Sequence, residues 1–303
     1  MLTSKIKNIT FNSPIMLSSG TFGYGYEAID LIDQNKIGCI ITKSLTLKKR
    51  DGNKHSRIHE SPSGMLNAIG LANVGLEKFI QSKLSKLNTI NTNFMISIAG
   101  STIDEYLDIL KVLEKSNGKH IGYEINVSCP NIKEGGLEFG VNAEIIYDLI
   151  SGLRDLTTKI IIVKLTPNVT YIEEIALSAE SAGADAISAV NTFLGMSIDY
   201  KTGKTHLNTK FGGVSGPAIK PLAIAKINKI FQKVKIPIIG MGGISSYKDI
   251  IEFIRAGSTM IQIGTLNYRN PSLSDQFFDD LLNFCKIKNI NNISELIGKN
   301  YAE

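Results

Sequence analysis

Two lysines, one cysteine and three asparagines stand where short apolar runs end or just beyond them, and a fourth asparagine, Asn67, lies in a connection between two runs. Lys43 lies near the end of Gly38-Cys-Ile-Ile-Thr-Lys-Ser44, and Lys164 near the end of Ile160-Ile-Ile-Val-Lys-Leu-Thr166. An ammonium at such a place is costly unless it meets an anion. Beneath a flavin it would stabilise the negative charge that gathers on the reduced ring. Desolvated, it would instead become the nucleophile of a Schiff-base, aldolase-like enzyme. An ion pair with a neighbouring carboxylate is the purely structural alternative. Cys129 sits in Asn126-Val-Ser-Cys-Pro-Asn131, followed by Gly135-Gly136 and Gly140, a flexible setting suited to a thiol acting as base or nucleophile. Cys39, inside an apolar run, reads as a small core residue.

Asn67, Asn126, Asn131 and Asn191 each offer donors and an acceptor, and together would complement a small heterocycle of alternating N–H and C=O groups. Taken singly, each is equally at home as a turn residue bonded to its own backbone. Gly240-Met-Gly-Gly-Ile244 and Gly264-Thr265 offer backbone N–H groups to a phosphate, or simply turn the chain tightly. Ser245 stands where the last glycine of G-x-G-x-x-G would be, so a dinucleotide fingerprint is not completed. His55, His59, His120 and His206 fall outside the run ends and show no H-E-x-x-H spacing, which argues against a hydrolytic triad or a catalytic zinc.

The elements that must carry these residues alternate. Eight apolar runs, at Pro14–Ser19, Gly38–Ser44, Phe94–Ala99, Gly122–Ser128, Ile160–Thr166, Ala186–Thr192, Pro237–Met241 and Met260–Thr265, read as strands buried on both faces. Amphipathic segments at Val74–Leu87, Ile103–Lys115, Ala143–Leu156, Tyr171–Ala182, Pro217–Phe231, Tyr247–Arg255 and Leu273–Phe284 read as helices between and after them. The fold class expected is α/β, a (β/α)8 TIM barrel whose active site lies at the C-terminal strand ends. A doubly wound open sheet has the same periodicity. Two long connections, Leu45–Asn73 and Phe193–Gly216, read as binding loops or lids. The first holds Lys48, Lys49, Arg50, Lys54 and Arg57, read as a solvated basic loop. No linker or repeat divides residues 1–303, so one domain is expected.

Composition narrows the function further. The 303 residues carry 33 basic and 28 acidic side chains, a net charge of +5 spread along the chain, which fits anionic ligands better than nucleic acid. Three cysteines supply neither a disulfide framework nor the four thiolates of an iron–sulfur cluster, and no metal site is expected. The N-terminus has no secretory apolar core, and no stretch reaches the ~18 apolar residues of a membrane span. A cytoplasmic protein without a membrane segment is the expectation.

Asn67-Ala-Ile-Gly-Leu71, Asn126-Val-Ser-Cys-Pro-Asn131, Val163-Lys-Leu-Thr-Pro-Asn168, Val190-Asn-Thr192, Gly212-Gly-Val-Ser-Gly-Pro217, Gly240-Met-Gly-Gly243 and Gly264-Thr265 together closely resemble the class 1 dihydroorotate dehydrogenases, in order over nearly the whole chain. The resemblance implies an FMN enzyme that oxidises dihydroorotate to orotate in pyrimidine biosynthesis, with Cys129 as general base. It implies FMN contacts at Gly20, Thr21, Lys43, Ser44, Asn126, Lys164, Val190, Gly216, Gly242, Gly243, Gly264 and Thr265. It implies substrate contacts at Lys43, Asn67, Ala68, Ile69, Gly70, Leu71, Asn126, Asn131, Asn191 and Thr192. The wording of Asn67–Leu71 and of Lys164-Leu-Thr-Pro-Asn-Val-Thr170 resembles the NAD-linked subclass. That subclass implies a homodimeric core joined to an electron-transfer subunit bearing FAD and [2Fe–2S], a heterotetramer. Set against this reading are an aldolase-like phosphate-binding barrel using Lys164, and a barrel that binds without catalysing.

Overall fold

The computed structural model describes residues 1–128 and 139–301. Eight parallel strands close into a barrel: β1 (Ile15–Leu17), β2 (Cys39–Ile41), β3 (Asn93–Ile98), β4 (Gly122–Asn126), β5 (Ile160–Lys164), β6 (Ala186–Ala189), β7 (Ile238–Met241) and β8 (Met260–Ile263). Pairing of Ile261 with Ile15 and of Ile263 with Leu17 joins β8 to β1, which excludes the open doubly wound sheet. Each strand lies within or one residue outside an apolar run expected from the sequence. Most strands are shorter than the runs, which continue past the ladder into the residues at the barrel mouth.

Around the barrel stand α1 (Leu76–Ser82), α2 (Leu84–Leu87), α3 (Ile103–Glu114), α4 (Ala143–Arg154), α5 (Ile172–Ser181), α6 (Lys220–Phe231), α7 (Tyr247–Ala256) and α8 (Leu273–Ile287). The first connection carries only 3-10 turns, Tyr26–Leu31 and Gln34–Lys36. Side chains of the oxygen-bearing caps start the helices where the sequence allows: Thr102 accepts from Glu105 N, Asn142 from Glu144 N and Ile145 N, and Ser246 forms a capping box with Asp249.

Because strand side chains alternate, the apolar residues divide into two clusters. Ile161, Val163, Ile187 and Ile261 pack outward with the helices. Met16, Cys39, Ile41, Met95, Ile160, Ile162, Ala186, Ile239 and Met260 fill the barrel interior. The hairpin Ser4–Ile6 with Ile9–Phe11 adds fully buried Ile6 and Phe11 to that inner cluster, closing one end of the barrel.

The two long connections are not plain loops. Ile58–Ser61, Gly64–Asn67, Phe193–Met196 and Phe211–Ser215 form a four-stranded sheet, in which Gly213 pairs with Asn67 and Phe193 with Val214. This sheet lies over the other end of the barrel, and its residues line the cleft described below.

Candidate active site

The inner side of each strand changes character along its length. On β5 the series Ile160, Ile162 ends in Lys164; on β8 Met260 is followed by Gln262; on β6 Ala186 is followed by Ser188. On β4 the same side carries Glu124 and Asn126, and continuing β2 by two residues past Ile41 brings Lys43. Apolar layers thus fill the closed end, and a polar layer faces the covered end, where TIM barrels keep their chemistry.

That end holds a cleft of about 490 Å³. Every described residue that the sequence singled out for cofactor or substrate lines it. Gly20, Thr21, Lys43, Ser44, Asn126, Lys164, Val190, Gly216, Gly242, Gly243, Gly264 and Thr265 come from the barrel and its turns, and Asn67, Ala68, Ile69, Gly70, Leu71, Asn191 and Thr192 from the segments beside the cover sheet. Cys129 and Asn131 lie outside the described residues.

The polar floor is cross-linked. Asn126 Nδ2 donates to Ser44 Oγ at 3.2 Å, and Ser44 Oγ lies 2.9 Å from Ser97 Oγ and 3.2 Å from Ser19 Oγ. The hydroxyl of Tyr106 donates to the Asn126 carbonyl at 2.8 Å, fixing the end of β4 from behind. Lys164 Nζ stands 3.5 Å from Glu124 Oε1, with both side chains almost wholly buried. The ion pair weighed as a structural alternative is therefore present, and Lys164 still reaches the cleft.

Lys43 has no ion pair among the described residues. Burial lowers its pKa, and the charge of Arg57 lowers it further. Of the two lysines lining the cleft, it is the one without a carboxylate partner among the described residues. Arg57 is itself held by the Asn53 and Asp51 carbonyls, and Arg50 donates to Ser101 Oγ at 2.7 Å. The basic loop is accordingly solvated at Lys48, Lys49 and Lys54, while its two arginines staple the chain.

Asn67 donates from Nδ2 to the Gly213 carbonyl at 3.3 Å, and Asn191 Oδ1 accepts from Thr192 N at 2.9 Å. The asparagines are thus partly committed to the backbone, as turn residues are, while lining the cleft. At the glycines, Gly243 has φ of 82° and a Cβ there would lie 2.8 Å from Lys220 N, so the chain must approach closely. Gly264 is different: a Cβ would meet nothing in the protein nearer than 3.7 Å and would occupy cleft space instead.

Several residues escaped notice in the sequence. Glu124 in Gly-Tyr-Glu-Ile-Asn126 and Gln262 in Met-Ile-Gln-Ile263 interrupt buried runs, and that interruption was the available signal. Ser215 lies inside the motif Gly212–Pro217, while Tyr268 carried no signal; Tyr268 donates from its hydroxyl to the Gly20 carbonyl at 2.8 Å. Two buried atoms of cleft-lining residues, Ser215 Oγ and Gln262 Oε1, have no hydrogen-bond partner among the described residues. Such groups fit a large polar ligand.

The sequence matches the dihydroorotate dehydrogenase family over residues 1–284. It is 44% identical over 297 residues to the dihydroorotate dehydrogenase B (NAD(+)) catalytic subunit of Geotalea uraniireducens, covering 98% of this chain and 97% of that protein. The protein of the same description from Caldicellulosiruptor saccharolyticus is likewise 44% identical, with 98% of each chain covered. The crystal structure of a dihydroorotate dehydrogenase from Eimeria tenella in complex with ferulenol superposes with a TM-score of 0.80 at 21% identity, covering 98% of this chain and 88% of that one, a likeness of fold.

Proposed function

The chain belongs to the dihydroorotate dehydrogenase family, and we propose that it oxidises dihydroorotate to orotate for pyrimidine biosynthesis, in the cleft under the cover sheet, as the catalytic subunit of an NAD-linked enzyme. The observation that carries this reading is the meeting, in one cleft, of every described residue that the family resemblance marks for cofactor or substrate. The family match sets aside the aldolase-like alternative, and the Lys164–Glu124 ion pair is a poor setting for an amine nucleophile.

The residues present fit FMN. Glycines at 216, 242, 243 and 264, with Thr265, offer backbone N–H groups to its phosphate. Gly20, Thr21, Lys43, Ser44, Asn126, Lys164 and Val190 would hold the ring, and the space kept free at Gly264, with Ser215 Oγ and Gln262 Oε1 lacking partners among the described residues, supports a polar occupant. FMN bound there supplies a hydride acceptor. The substrate would lie against Asn67–Leu71, Asn126, Asn131, Asn191 and Thr192, with Lys43 meeting its carboxylate. Cys129, as thiolate, takes the proton from the ring carbon next to the one that gives up hydride. The cover sheet excludes water from the exchange.

The relatives are described as catalytic subunits, which implies a separate partner. We assign FAD and [2Fe–2S] to that partner, because Cys39, Cys129 and Cys285 cannot furnish four thiolates and Cys39 and Cys285 are buried. A homodimeric core in a cytoplasmic heterotetramer completes the reading; among the described residues no helix is long and apolar enough to cross a membrane.

The test is the visible spectrum. Purified protein should be yellow and should bleach anaerobically when dihydroorotate is added, and NAD turnover should require the electron-transfer subunit. Colourless protein that takes up no added FMN, or a flavin indifferent to dihydroorotate, would refute it.

A further inference from the structure

One charged group at the cleft floor takes no part in the steps above. Glu124 is wholly buried, on the inner side of β4, two residues before Asn126. Its Oε1 pairs with Lys164 Nζ at 3.5 Å. Its Oε2 accepts from Gln262 Nε2 at 2.8 Å and from Ser188 Oγ at 3.3 Å. Burying a carboxylate costs several kcal/mol, and well-packed apolar side chains in place of a buried ion pair are often neutral or stabilising. Ile162, Ala186 and Met260, one step down the same strands, are that apolar filling. Stability alone would continue the pattern upward. The charge therefore points to the cleft above it.

Two cleft-lining groups take their orientation from Glu124. Lys164 keeps its ammonium 3.5 Å from Glu124 Oε1, and Gln262 is turned so that Nε2 is engaged while Oε1 has no hydrogen-bond partner among the described residues. We propose that Glu124 is a positioning residue that sets the electrostatic character of the cleft floor: it offsets the Lys164 charge and fixes the Gln262 amide, and so holds the reduction potential of bound FMN below the value an unopposed lysine would give. The proposal rests on the FMN reading given above.

The experiment is an equilibrium redox titration of the FMN-loaded full chain against a reference dye, for wild type, Glu124→Gln, Glu124→Asp, and Glu124→Gln placed in a Lys164→Met background. With the negative charge removed, reduced FMN should gain roughly tenfold in affinity relative to oxidised FMN, an upward shift of about 30 mV for a two-electron couple. Glu124→Asp keeps the charge and should stay near wild type. Should Glu124→Gln alone not fold, the double variant, which leaves no unpaired ammonium, tests the same offset: removing both charges together should leave the potential near that of wild type. An unchanged or lowered potential in Glu124→Gln, an equal rise in Glu124→Asp, or a double variant about 30 mV or more below wild type, as loss of an unopposed lysine would give, would overturn the proposal. Wild type without flavin would instead refute the FMN reading.

Discussion

Replacing Lys43 by Met should affect binding and unliganded stability in opposite directions. Lys43 lines the cleft and forms no ion pair among the described residues, and burial, aided by Arg57, lowers its pKa from 10.5. For a base with a lowered folded-state pKa, the unfolded chain holds its proton to higher pH than the folded chain. The group therefore destabilises the unliganded fold below its folded pKa, and the penalty is relieved as pH rises through that value toward 10.5. Lys43→Met removes this penalty, so the unliganded variant should melt no lower than wild type at neutral pH. An anion's hydrogen bond to a charged donor contributes about 1.5–3 kcal/mol, so the same variant should bind orotate about ten- to a hundredfold more weakly. Wild-type affinity should decline as pH rises through the lowered Lys43 pKa, and the variant's should not show that decline. The assay is titration of the flavin spectrum with orotate, paired with thermal melting in its presence and absence. An orotate affinity within about threefold of wild type, well short of a charge-assisted bond, with FMN retained, would refute the assignment; so would a variant that melts markedly lower without ligand.

Cys129→Ala should keep its flavin yet slow anaerobic reduction by dihydroorotate by roughly 10²–10⁴, the usual contribution of a general base, and stopped-flow rates equal to wild type would remove that role. Gly243→Ala places a Cβ 2.8 Å from Lys220 N and 2.9 Å from Gly216 O at a φ of 82°. Its left-handed backbone alone costs about 1–2 kcal/mol, and the purified variant should carry less FMN; a full complement would contradict a phosphate site there. His120 is buried, its Nε2 2.7 Å from the Tyr123 hydroxyl, and burial, with the charge of Lys159, lowers its pKa from 6.5 to about 4. The unfolded chain takes up this proton first as pH falls, so stability should decline between pH 6.5 and about 4, by at most about 3 kcal/mol. Denaturant midpoints should show that decline in wild type and a shallower one in His120→Gln; parallel curves would remove His120 as its source.

How much of this was legible in the sequence depended on whether local pattern or distant pairing made each element. The barrel strands are continuous apolar runs, and the helices follow the 3.6-residue period, so both announce themselves. The cover sheet does not. Gly64–Asn67 and Phe211–Ser215 are short, contain glycine and have no clean alternation, and they become strands only because Gly213 meets Asn67 across the mouth. No window of local sequence contains that partnership, so these connections read as loops. The N-terminal hairpin escaped for the same reason: Ile6 and Phe11 declare their purpose only once the barrel they close is present.

The candidate site was legible to a different depth. Lys43, Lys164 and Asn126 are conspicuous because they end apolar runs, whereas Glu124, Ser188 and Gln262 lie inside their runs, two residues before Asn126, Val190 and Gly264. A period-two reading of the inner strand faces places Ile160, Ile162 and Lys164 in one column, and Gly122, Glu124 and Asn126 in the next. The polar members stand at the mouth side of both columns, and Asn126 pairs in register with Lys164. The same register pairs Glu124 with Ile162, so Glu124 and Lys164 meet diagonally across the two strands, and the floor carries an ion pair where the strand sequence otherwise continues as hydrocarbon. Packing for stability is concentrated in the lower layers, which exclude charge. The upper layer keeps its charges because what it contacts is a ligand, so substitutions there should move binding and potential more than they move the melting temperature.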